Sequence, residues 1–291
     1  MVRKYRIEDY EEGLSFPFNI QLDISVKTEF PEHTHDHTEL VLILKGSATH
    51  MVNGRPYFVQ AGDVFVFSPH VRHGFRQALG LEMVNIMFRP EILSGLHSDI
   101  KGFSGFQTLF VVAPSSREDF PCRLRLTPKA LAFAAGLTTR IIGEFEKKAE
   151  GYRSLCRALF CEFVIFLVRQ YGREGAEIEA PAATLRLAET VAWMEKNYLG
   201  QAGLEEIAKL SGFSRRHFIR LFKEHYQTTP LRYILDLRIR HSQALLNHTD
   251  RRITQIAFDS GFTDSNYFSR QFRRSVGHSP AEFRRRTAGN P

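Results

Sequence analysis

At 291 residues the chain exceeds the usual length of one folding unit, and 43% apolar content with 25 Phe can fill two cores. The formal net charge of +7 is unevenly spread: residues 184–291 hold 18 Lys+Arg against 10 Asp+Glu, which leaves residues 1–183 at about −1. No run of about 18 apolar residues occurs and the N-terminus MVRKYRIEDYEEG has no apolar signal core, which excludes a spanning helix and a secretory leader and predicts a cytoplasmic protein with no membrane partner.

Residues 16–90 read as β. Runs at Leu40–Leu44, Tyr57–Val59, Val64–Phe67 and Leu81–Phe88 alternate with turn signals such as Val52-Asn53-Gly54-Arg55 and Gln60-Ala61-Gly62-Asp63. Short strands at near-regular spacing predict a sandwich or barrel within residues 1–126. Residues 91–126 are poorly periodic and are expected as loops, with a further strand around Thr108–Val112. A helical pair follows, over 127–148 and 152–171. Its second member carries Leu155, Leu159, Phe160, Phe163, Val164, Phe166, Leu167 and Val168, too apolar all round for an exposed helix. It either packs deeply on the barrel or forms a dimer seam, and we take 127–171 as a dimerisation element. The Gly, Glu, Pro and Ala composition of Tyr171–Thr184 predicts a linker over 172–183, ahead of a helical domain at 184–291.

Within the β region the stretch Phe30-Pro31-Glu32-His33-Thr34-His35-Asp36-His37-Thr38-Glu39 stands out. In an extended strand residues 33, 35 and 39 share a face. Two imidazoles and a carboxylate inside a barrel can bind a divalent metal, hydrogen-bond a polar ligand, or simply satisfy one another. His73 follows a second strand and turn, Gly62–Pro69. The cysteines Cys122, Cys156 and Cys161 have neither metal-ligand spacing nor a pairing pattern, as expected of thiols in a reducing compartment. No P-loop, dinucleotide fingerprint or serine or cysteine nucleophile motif is visible.

The most informative stretch is Ile253–Phe283. A short helix with apolar Ile253, Ile256 and Ala257 is broken by Gly261-Phe262, and Thr263 or Asp264 can cap a second helix that buries Phe268 and Phe272. Two helices joined by a glycine turn, the second showing donors and positive charge outward, describe a helix-turn-helix. The motif is repeated about 49 residues earlier. Ile207-Ala208 with Gly212-Phe213-Ser214 parallels Ile256-Ala257 with Gly261-Phe262-Thr263, and Phe222 with Pro230 answers Phe272 with Pro280.

On these residues, from about Leu185 to Arg286, the chain resembles the AraC/XylS family of bacterial transcription regulators; the run Gly261–Pro280 is its most family-specific part. The resemblance implies a DNA-binding domain of two helix-turn-helix units joined by a long helix, and a double-stranded DNA operator as partner. Arg215, Arg216, Ile219 and Arg220 of the first unit, and Ser265, Asn266, Ser269 and Arg270 of the second, are then expected at bases or phosphates. Lys223, Arg273 and Arg274 lie a turn further on, towards phosphates. Phe213, Phe218, Phe222, Phe262, Phe268 and Phe272 are expected in the core. A joining helix of roughly 15–18 residues spans about 23–27 Å, which suits groove segments about 34 Å apart.

The N-terminal half is similar to the cupin barrel: His33, His35, Glu39 and Gly46 match its first motif and His73 the histidine of its second. That second motif departs from the family. No glycine follows Pro69, one residue fewer separates the proline from His73, and Gln77 stands where asparagine is usual. The departures argue against a catalytic metal while leaving the fold. They leave His33, His35, Glu39 and His73 as effector-binding residues and as a candidate metal site. Phe30–Asp36, Asn53–Tyr57 and Asn85–Phe88 also resemble the regulators of rhamnose catabolism within the AraC/XylS family, which implies a 6-deoxyhexose or related sugar as effector. A homodimeric activator that works with RNA polymerase is the leading expectation. The expected architecture is thus α+β and multidomain: cupin-type barrel, helical pair, linker, and all-α DNA-binding domain. A metal-dependent cupin enzyme fused to a DNA-binding tail, and a barrel that only dimerises, are the competing readings.

Overall fold

The computed structural model describes residues 3–10, 15–24, 28–93, 98–112, 123–171 and 177–288. They fall into two units, Met1–Ala188 and Glu189–Pro291.

Among the described residues of the first unit nine strands form one sheet: β1 (Arg3–Tyr5), β2 (Phe18–Ile24), β3 (Phe30–His35), β4 (Thr38–Val52), β5 (Arg55–Gln60), β6 (Asp63–Phe67), β7 (His73–Phe88), β8 (Arg123–Arg125) and β9 (Glu177–Glu179). All pairings are antiparallel except β1 with β3. The long strands β4 and β7 pair along most of their length, with register shifts between Ile43 and Thr49. Gly46 (φ +74°) and Gly80 (φ +56°) meet at this corner, where a Cβ on Gly46 would lie 2.3 Å from the Gly80 carbonyl oxygen. Only glycine fits there.

The corner divides the sheet into two halves. β2 and β6 flank the end of β4 and β7 that holds Thr38–Ile43, and β3 and β5 flank the other. The bulges also reset the alternation, so that Val41 and Ile43 before the corner, and Ala48 and Val52 after it, join one interior cluster with Phe65, Phe67 and Phe75. The two halves therefore face each other across a shared core. Leu40, Leu42, Val64, Val66, Val84 and Ile86, on the opposite parity, pack under helices α1 (Pro128–Lys147) and α2 (Tyr152–Gln170). Thr127 caps α1 by accepting from Ala130 N. The expected α+β architecture, a cupin-like sheet with a helical pair, is the one observed.

Three expectations need amendment. Gln107–Val112 is a helical turn and not a strand; Leu109 is buried in the helix-covered core, Val112 is buried as well, and a short apolar run has no periodicity that separates the two. The all-round apolarity of α2 comes from deep packing: six of the eight apolar residues named above are buried, Phe160 meeting Phe18 and Phe88 at 5.2 and 5.0 Å, while Leu155 stays 44% exposed. The supposed linker holds β9, whose register sets Glu179 opposite Arg123 and Glu177 opposite Arg125, and helix α3 (Ala182–Asn197) begins inside it. Residues 172–176 and Cys122 lie outside the described residues.

The second unit is helical: the end of α3, α4 (Leu204–Leu210), α5 (Arg215–Tyr226), α6 (Pro230–His248), α7 (Ile253–Asp259), α8 (Ser265–Val276) and α9 (Pro280–Ala288). Helix α6 begins at Pro230 with Thr229 accepting from Arg232 N, and buries Ile234, Leu237 and Leu246. Its C-terminal half packs Ile239 and Leu246 against Ile256, Phe262, Phe268 and Phe272 of the second helical hairpin. Arg238 of α6 donates to the carbonyls of Tyr198 (2.7 Å) and Gly200 (2.6 Å), and Gln201 donates to Gly261 O (3.0 Å).

Candidate nucleic-acid interface and ligand cavity

The two hairpins of the second unit repeat each other in detail. Ser211 and Ser260 close the first helix of each and are fully buried, and Gly212 (φ +66°) and Gly261 (φ +82°) make the turn. A Cβ on Gly261 would come 2.8 Å from Leu199 O and 2.9 Å from Arg238 Nε. Ser214 caps α5 by accepting from His217 N (3.3 Å). Of the two candidate caps for α8 it is Asp264 that accepts, from Tyr267 N.

Phe218 and Phe222 in α5, and Phe268 and Phe272 in α8, are fully buried, which turns the opposite helix faces outward. Those faces carry exposed Arg216, Arg220 and Lys223 in α5, and Asn266, Arg270, Arg273 and Arg274 in α8. Arg215 is exposed but ion-paired to Glu205 at 2.9 Å, and Arg220 lies 3.7 Å from Glu224. Exposed pairs of this kind contribute about 0–1 kcal/mol, so an incoming phosphate can displace them. Ile219, Ser265 and Ser269 are half-buried at the margin, with Ser269 Oγ donating to Ser265 O (2.9 Å). Phe213 is half-buried beside His217 and so belongs less to the core than expected. The 19 residues of α6 give a spacer of about 28 Å.

In the first unit His33 and His35 end β3, Glu39 sits near the start of β4, and His73 opens β7. The chain turns at Asp36-His37 between β3 and β4, so residues 33, 35 and 39 do not share one strand face. Strand pairing brings them together instead: His33 lies opposite His73, and Glu39 between Phe67 and Met87. Glu39 Oε2 is 3.1 Å from both His35 Nε2 and His73 Nε2, and the Nε2 atoms of His33 and His73 are 3.1 Å apart. One ligand atom each from His33, Glu39 and His73 falls within 4.8 Å of the others. His35 instead bonds the His37 carbonyl (2.6 Å) through Nδ1 and sets Nε2 3.1 Å from Glu39 Oε2 as an ion-pair contact.

Burial alone would push the Glu39 carboxyl up, but His73 and His35 hold it well below its usual range. Burial opposes a proton on His35, yet the bond from Glu39 raises it. His33 is lowered by burial and by His73, and His37 is lowered to about 4 by burial and by His35. His50 stacks between Phe65 and Phe75 at 4.9 and 4.4 Å, and burial lowers it strongly.

Beside the cluster opens a cavity of about 610 Å³, lined also by Tyr10, Gln21, Asp23 and Asn85. This size lies within the roughly 300–1,000 Å³ of small-molecule sites. Asn85 Nδ2 donates to Asp23 Oδ2 at 2.7 Å. In Phe18-Asn19-Ile20-Gln21-Leu22-Asp23 the polar residues alternate, as on a solvated strand face, but Gln21 and Asp23 line the cavity.

Comparison with known proteins follows the same division. The helix-turn-helix domain family matches residues 207–286, and the AraC-like ligand binding domain matches residues 25–163. The HTH-type transcriptional activator RhaS of Enterobacter sp. is 31% identical over 88% of this chain and 87% of its own. The chain belongs to the AraC family of transcription regulators. The RhaS activator of Escherichia fergusonii gives the same identity and coverage. A solved transcriptional regulator of Chromobacterium violaceum, with an AraC-type DNA-binding domain, is 35% identical over 36% of this chain and 95% of that one, with TM-score 0.34. As an AraC-family regulator the chain joins a DNA-binding unit to a ligand-binding one. No helix among its described residues is long and apolar enough to cross a membrane.

Proposed function

We propose that this AraC-family regulator is an activator whose effector is a sugar of the kind L-rhamnose represents, bound in the cavity of about 610 Å³. The observation that carries the reading is the polarity of that cavity: buried Glu39 and half-buried Asp23 and Asn85 line it, where a purely dimerising barrel would place apolar side chains. The activator names of the RhaS relatives support activation rather than repression or an enzymatic role.

Arg216, Arg220, Asn266 and Arg270, on the crests of the outward faces, read bases in this proposal, Arg pairing with guanine and Asn with adenine. Arg215, Lys223, Arg273 and Arg274 hold phosphates, and Ile219, Ser265 and Ser269 make marginal contacts with the duplex. The operator, RNA polymerase and a second copy of the chain are the partners, which places the protein in the cytoplasm. Phe133 (51% exposed) and Leu155 (44%) on the helical pair support a dimer contact there.

His33, Glu39 and His73 fit a divalent ion, since two imidazoles and a carboxylate lie within 4.8 Å of one another. Such an ion would supply a Lewis acid for a ligand oxygen, while His35 orients the Glu39 carboxylate. Transcription from a selected operator by purified polymerase, with and without L-rhamnose, tests the proposal. Stimulation by protein and sugar together is expected; sugar-independent activation would leave the barrel without an effector role.

A further inference from the structure

The first helical hairpin is braced by a buried acid through a residue whose counterpart in the second hairpin is apolar. Glu195, near the end of α3, is buried, and its Oε1 accepts from the Tyr233 hydroxyl in the first turn of α6. The Tyr233 ring lies 5.5 Å from the rings of both Phe222 and Tyr226 of α5, which stack on each other at 4.6 Å. Helix α5 therefore rests on a ring whose hydroxyl Glu195 holds. Burial, and then Glu195, raise the Tyr233 phenol, so the hydroxyl keeps the proton it donates. In the second hairpin Phe283 answers Tyr233. Phe272 and Phe283 meet at 5.5 Å and 73°, against 5.5 Å and 74° for Phe222 and Tyr233. Gln227 (φ +54°) and Gly277 (φ +85°) close the two reading helices, so Val276 stands where α5 has Tyr226. The ring packing is common to both hairpins, and the hydroxyl belongs to the first.

Stability does not account for Glu195. Its Oε2 is shut off from water with no donor among the described residues, and a buried acceptor left unmade costs free energy. Replacing both partners of such a bond by apolar groups of similar shape is often neutral or stabilising, and Phe283 shows that the ring packing needs no hydroxyl. What the bond adds is direction. A ring can slide on apolar neighbours, whereas an O–H···O bond tolerates little change in distance or angle. We infer that Glu195 is a positioning residue for the first reading helix: through Tyr233 it sets how α5 presents Arg216 and Arg220 to the bases. The inference rests on the base-reading role proposed above for those two arginines. It concerns α5 alone, because α8 is seated on Ile239, Leu246, Phe262 and Phe283 instead.

The test is binding-site selection with the full chain, alongside its thermal unfolding. Arg216→Ala and Arg220→Ala first mark the operator positions that α5 reads. The double variant Glu195→Met/Tyr233→Phe removes the acid and the hydroxyl together and should melt no lower than wild type. It should lose about tenfold in discrimination at one or more of the marked positions, with preferences elsewhere within about twofold of wild type. Glu195→Gln keeps an acceptor for the Tyr233 hydroxyl and should keep the wild-type preferences. A folded double variant with unchanged preferences would overturn the inference, as would equal relaxation at every operator position. So would relaxation in Glu195→Gln that matches the double variant, or relaxation that follows a lowered melting temperature across the variants. Should the double variant not fold, Tyr233→Phe alone gives the same comparison. If neither arginine variant alters any preference, the base-reading assignment itself falls and this inference with it.

Discussion

The two units present their functional residues in opposite ways. In the helical unit the candidate residues lie on the outside of two short helices, and each set comes from a dozen consecutive residues. In the sheet unit they lie inside, and His33, Glu39 and Asn85 reach the cavity from three different strands. A helix-borne surface is written locally, by caps, glycine turns and buried aromatics at fixed spacing. A cavity is written by strand register, which no single stretch contains.

The largest expected effects come from the glycines that set each geometry. Gly46→Ala places a side chain at φ +74° against Gly80 and should cost about 2–3 kcal/mol. In chemical denaturation and sugar titration it should destabilise the chain and weaken effector binding, with operator affinity largely kept. Gly261→Ala meets Leu199 O and Arg238 Nε and should do the reverse, lowering operator affinity with sugar binding kept. Equal loss of both activities in either variant would break the division.

A finer contrast lies within α8. Arg270→Ala should relax base preference at one operator position by about 1–3 kcal/mol; a binding-site selection that returns the same preferences would reject that role. Smaller still, Arg273→Ala should weaken all sequences alike and reduce the salt slope of binding by about 0.9. An unaltered slope in salt-dependent titrations would remove Arg273 from the phosphate contacts.

The same contrast explains what the sequence disclosed. The repeat of Gly212 and Gly261, the aromatic pairs and the outward arginines were legible because helical periodicity assigns faces directly. The histidine cluster was legible only as a motif: the reason first given for its convergence, one strand face, fails at the turn of Asp36-His37. Asp23 and Asn85 were missed because an alternating strand reads the same whether its polar face meets water or a cavity. The pairing of β9 was likewise missed, and deep packing of α2 stood only as one of two alternatives, since composition does not reveal which surface an element finds.

The central claim is that the polar interior of the sheet unit is an effector site. It is tested most directly by thermal unfolding of the full chain against a panel of aldoses led by L-rhamnose, with and without chelator. One sugar at a hundredfold excess over its dissociation constant should stabilise the chain selectively by about 2.7 kcal/mol, and loss of that shift on chelation would place an ion among His33, Glu39 and His73. An unfolding transition unmoved by every aldose would contradict the claim, leaving an AraC-family DNA-binding protein whose cavity serves another class of ligand.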